Sequence, residues 1–142
     1  MGVDDVLEDE RLGVAVIALD RWGRALCVEG GTGASLPAGQ LARGEAPDLA
    51  ALRLFDSLVG MTLDQLRFYR LFRSPELCGS PWDELHVYFD DPDPDPSFLD
   101  PPPEGRWRLL GPAELQSASL LPWARAVLGR FFESPAYRAL FH

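Results

Sequence analysis

The side chains that could do chemistry in this chain are few, and most of them stand alone. His86 offers an imidazole of the kind that serves as a general base near neutral pH. It sits alone on one face of a short alternating segment with no nucleophile paired to it, so a surface histidine is the plainer reading. Gly30-Gly31-Thr32-Gly33 could cradle a phosphate through backbone N–H groups, but it matches neither nucleotide-binding glycine fingerprint and no helix follows it directly. It reads as an ordinary loop. Of Trp22, Trp82, Trp107 and Trp123, the last two lie in periodic apolar segments and belong in a core. Trp82, in Gly79-Ser80-Pro81-Trp82, is the candidate exposed platform for a stacked ring. Glu29 and Asp83 have no motif behind them. The two cysteines, Cys27 and Cys78, lie in apolar stretches without CxxC spacing and, with His86 and His142, are too scattered for structural zinc. Two buried free thiols fit better than a disulfide, which stays open as the alternative.

The elements that must position these groups can be read from pattern. Residues 1–11 are polar and expected to be loosely docked. Gly13–Leu19 is short and β-branched, a buried strand, and Arg24–Glu29 returns after the turn Asp20-Arg21-Trp22-Gly23 to make a hairpin. Ala46–Val59 reads as a helix, with Pro47 in its first turn, Asp48 at its positive end and Gly60 as its stop. Leu66–Phe72 and Arg106–Leu110 read as strands. Glu84–Phe89 alternates, with Leu85, Val87 and Phe89 on one face and Glu84, His86 and Tyr88 on the other. The acidic, proline-rich segment 90–103 excludes helix and inner strand and reads as a solvated loop. Pro112–Gln116 starts a helical turn, and Leu121–Phe132 is an amphipathic closing helix with Trp123, Val127, Leu128 and Phe131 inward. Strands on both sides of a central helix, with a second helix at the end, make a mixed α/β sandwich in one domain over 1–142.

From Gly39 to Met61 the spacing is more specific. Gly39, Glu45, Arg53, Phe55, Gly60 and Met61 fall at the intervals of the pattern G-x5-E-x7-R-E-U-x-E-E-x-G-U, where U is a bulky aliphatic residue, and Leu36-Pro37-Ala38-Gly39 leads into it. The segment resembles the signature of the Nudix (MutT-like) hydrolases. Hairpin strands before it, and Glu104-Gly105-Arg106-Trp107 ahead of a closing helix, extend the likeness over about residues 12–132. The resemblance implies an α/β/α sandwich with a mixed sheet, a box loop and helix, and a C-terminal helix. It also implies that Glu45 fixes the loop through Arg53.

The departures lie where such proteins ligate magnesium or manganese. The signature has a Glu after its Arg and a Glu pair three and four residues later, gathered on one helix face to hold the dication and activate water. Here those positions are Leu54, Ser57 and Leu58. Two leucines cannot ligate a hard cation, and one serine hydroxyl is a weak neutral ligand. Asp56 is about 100° round the helix from Ser57 and should project away, paired with Arg53. Glu104 lies where some members of the family place a further metal-site Glu. A non-standard magnesium or manganese site from Glu45, Asp56 and Glu104 is therefore the alternative, and no cofactor is the main expectation.

The composition is 46% hydrophobic and 25% charged, enough for a real core. A net charge of -9 speaks against nucleic acid as the partner, although a small phosphorylated ligand remains compatible through a local reversal of field. The acidic start lacks a signal-peptide pattern and no apolar run reaches the ~20 residues of a membrane span, so a cytoplasmic protein is expected. The resemblance and its departures together imply a degenerate Nudix box on a pseudoenzyme, expected to be inactive or weak. Its expected role is to bind a nucleoside-diphosphate-linked metabolite or a protein partner, with a homodimer through the apolar helix face as one form. The competing expectation is an active hydrolase of nucleoside diphosphates linked to another group.

Overall fold

The computed structural model describes residues 11–20, 22–30, 33–60, 63, 66–77, 80–90 and 107–140. Residues 1–10, most of the acidic segment, Met61, Cys78, Glu104 and His142 lie outside the described residues.

Among the described residues six strands and three α-helices follow one another. They are β1 (Leu12–Ile17), β2 (Ala25–Val28), β3 (Ala38–Gln40), α1 (Pro47–Val59), β4 (Arg67–Arg73), β5 (Glu84–Phe89), β6 (Trp107–Leu110), α2 (Pro122–Phe132) and α3 (Pro135–Leu140). The sheet of order β3-β1-β5-β4 is mixed. β1 runs parallel to β5 and antiparallel to β3, and β4 runs antiparallel to β5. β2 and β6 form a separate antiparallel pair. Short alternating strands of this kind carry two apolar faces, and each face must be covered. On one, Val16, Ala18 and Tyr88 join Leu26 and Trp107 beneath Ala51 and Phe55 of α1. On the other, Ala15, Ile17, Leu85, Val87 and Phe89 meet Trp123, Val127, Leu128 and Phe131 of α2. The result is an α/β/α sandwich.

The local signals explain the ends of α1. Pro47 occupies the first turn, where its missing N–H costs nothing, and Gly60 closes the helix in the left-handed region at φ 85°, its N–H donating to the Asp56 carbonyl. One expectation is corrected and two elements are added. The β1–β2 turn forms, with a bridge between Leu19 and Ala25, but β2 then leaves β1 to pair with β6, so the hairpin is only a corner. Residues 38–40, to which the sequence pattern assigns no element, pair with β1 as β3. A last helix, α3, follows α2, and the Tyr137 hydroxyl donates to the Gly23 carbonyl, tying the chain's end to that corner. The corner itself is held by Asp20, a buried carboxylate that accepts from the N–H groups of Trp22 and Arg24 and from the Arg24 guanidinium.

Candidate functional site

Strand β3 delivers Gly39 beside Val14 of β1, and the chain then turns through residues 41–46 into α1. Gly44, at φ 78°, makes the turn possible. The turn is fixed by Glu45. Its two carboxylate oxygens accept from Arg53 Nε at 2.7 Å and Nη2 at 2.8 Å, a bidentate fork, and one also accepts from the Ala42 N–H. The Arg53 hydrogen bonds hold the Glu45 carboxyl below its usual range and raise the Arg53 guanidinium above its own. The pairing implied by the resemblance is present, and Arg53 is directed to Glu45 rather than to Asp56, which is exposed on the helix surface. That corrects the expected Arg53–Asp56 pair.

The other side of the helix is apolar where the signature is acidic. A Cβ on Gly39 would lie 2.6 Å from Leu54 Cδ2, so the Leu54 side chain is seated directly on the glycine backbone. Leu54 is half-buried there, Ser57 is exposed and Leu58 is 48% exposed. Among the described residues no three His, Cys, Asp or Glu side chains converge as a metal site needs. Of the alternative ligands, Glu45 is held by Arg53, Asp56 faces solvent and Glu104 lies outside the described residues. The residues present at the box do not fit a divalent cation: carbon atoms fill the contact between helix and loop that oxygen ligands would have to make.

The remaining candidates have structural partners. Trp82 is no free platform. It is half-buried, packs edge-to-face on Trp123 at 5.2 Å, and covers Gly13, where a Cβ would approach its indole to 2.5 Å. The exposed tryptophan is Trp22, at 62%, with the Arg24 guanidinium over its ring. Trp107 and Trp123 are core residues, as expected. Past the glycine loop, Ala34 bonds to Ser119 and Leu121, anchoring that end of the loop to the start of α2. Asp83 accepts from the Arg11 N–H, and Glu29 pairs with Arg108. Cys27 is a free buried thiol whose pKa burial pushes up to about 12, which removes it as a nucleophile. His86 is half-buried with its ring 6.5 Å from that of Phe68. The sequence did not single out Phe68. No local pattern distinguishes an inward from an outward aromatic on an edge strand.

No family model and no curated protein sequence matches the chain. Solved structures do. A putative Nudix hydrolase family member from Chromobacterium violaceum superimposes with TM-score 0.69 at 20% identity, covering 93% of this chain and 88% of its own. A MutT/Nudix family protein from Listeria innocua gives TM-score 0.69 at 16% identity, with 92% and 96% covered. A bifunctional NMN adenylyltransferase/ADP ribose pyrophosphatase from Francisella tularensis gives 0.68 at 15% identity, covering 88% of this chain and 41% of that one. The chain therefore has a Nudix-like fold. No helix among the described residues is long and apolar enough to cross a membrane.

Proposed function

We propose that this chain is a Nudix-family protein that has kept the box as a scaffold and lost its metal-dependent hydrolysis, and that it binds a nucleoside-diphosphate-linked metabolite without cleaving it at a useful rate. The observation that carries this reading is the seating of Leu54 on Gly39, with Ser57 and Leu58 completing a face that lacks carboxylates. A dication both organises the attacking water and neutralises phosphate charge, so its loss removes many powers of ten in rate. The Glu45–Arg53 fork supports the scaffold half of the reading, because it ties the loop directly to the helix.

The test is direct. ADP-ribose, dinucleotide polyphosphates, sugar nucleotides and nucleoside triphosphates are titrated by calorimetry and assayed for phosphate release with magnesium or manganese present. Binding of one class without release is the expected result. Turnover that disappears in Asp56→Ala or Glu104→Ala would establish the alternative hydrolase site instead.

A further inference from the structure

On the outer side of α2 the turn at residues 112–116 stands off the helix and leaves a groove of about 640 Å³, a volume in the range of small-molecule sites. Pro112 and Leu115 form its wall, and Ala126, Gly129 and the edge of Phe132 form its floor. The wall is fixed by Arg125, whose guanidinium donates to the Leu115 and Ala118 carbonyls. Gly129 is the unusual residue. It lies inside α2 without a left-handed backbone, and among the described residues a Cβ there would meet only Leu115 Cδ2, at an ordinary 3.8 Å. Neither backbone nor packing calls for a glycine, which weakens a helix relative to alanine. Its missing side chain keeps the groove open. The charged lining is Arg125, Arg130 and Glu133, net positive on a chain of net charge -9. The Arg130 guanidinium is exposed, and no hydrogen bond or ion pair engages it among the described residues.

An apolar groove with one unengaged guanidinium at its rim is complementary to an apolar body that carries a single negative charge. We propose that the groove binds a small amphipathic monocarboxylate, its acid on Arg130 and its hydrocarbon along Leu115, Ala126 and Gly129. Glu133 and the negative end of α2, whose last turn holds Arg130, oppose a second negative charge, so a phosphate dianion is disfavoured. Helices α1 and α2 cover opposite faces of the sheet, and the groove is therefore independent of whether a ligand binds at the box.

Phenylbutyrate and its uncharged counterpart phenylbutyramide are the probes, titrated into the whole chain while amide chemical shifts are followed by NMR. The two have nearly the same shape, so the ratio of their affinities reads the charge. The carboxylate is expected to bind about two- to fivefold more tightly, the contribution of a solvent-exposed ion pair, with the shifted amides at residues 113–118 and 126–133. Arg130→Gln should bring the ratio close to unity. Gly129→Leu fills the groove and should weaken both probes while, as the better helix former, it holds or raises the melting temperature. The amide pattern of the sheet checks that each variant keeps its fold. Equal affinities, an unchanged ratio in Arg130→Gln, undiminished binding by Gly129→Leu, shifts confined to another surface, or no binding of either probe would each overturn the proposal.

Discussion

The two sides of α1 that meet the box loop have been treated differently. On one, Glu45 and Arg53 keep a bidentate ion pair that spans eight residues of sequence and fixes the turn. On the other, Leu54 sits on Gly39, and Ser57 and Leu58 stand where the resembled signature is acidic. One helix can therefore hold its loop without carrying the signature's carboxylates, because the two sets of positions lie at different angles around the axis. The glycine serves the leucine as it would serve a close backbone approach, by having no Cβ.

The comparison breaks first if the helix itself is not held as described. Phe55 is fully buried on the inner face of α1, and Phe55→Ala should cost about 3–5 kcal/mol in chemical denaturation, the usual loss for a buried phenylalanine. Next comes the leucine side. Gly39→Ala places a methyl 2.6 Å from Leu54 Cδ2 and should cost about 1–3 kcal/mol, with much of the loss recovered in Gly39→Ala/Leu54→Ala. Additive losses in that double variant would mean that the two residues do not touch. The fork predicts a smaller, pH-dependent effect. Glu45 has a folded pKa below its ordinary 4.5, so its contribution is present above that value and is lost as pH falls through the lowered one. The stability difference between wild type and Glu45→Gln should therefore shrink between about pH 6 and pH 3. The smallest effect belongs to Leu58→Ser. With the side chain 48% exposed, stability should stay within about 0.5 kcal/mol. A larger loss, or one that varies with protein concentration, would show that something covers this face.

Much of this architecture was legible because its signals are local. Pro47, Asp48 and Gly60 marked the helix, and the alternation of Leu85, Val87 and Phe89 marked β5 and its inward face. Glu45 and Arg53 were readable as a pair through the box spacing. What escaped depends on contacts distant in sequence. Residues 38–40 become a strand only because β1 is beside them. Trp82 looked like a platform because its neighbours are turn residues, and it is covered because Gly13 and Trp123 receive it. The seat of Leu54 on Gly39, and the exposure of Phe68 at the sheet's edge, likewise follow from packing rather than pattern.

The central claim, a kept scaffold with a replaced metal face, is tested most directly by calorimetric titration of manganese into wild type and into Leu54→Glu/Ser57→Glu/Leu58→Glu. Wild type should show no specific binding, and the folded triple variant should gain a saturable site. Tight binding by wild type, or a folded triple variant that binds no metal, would contradict the account.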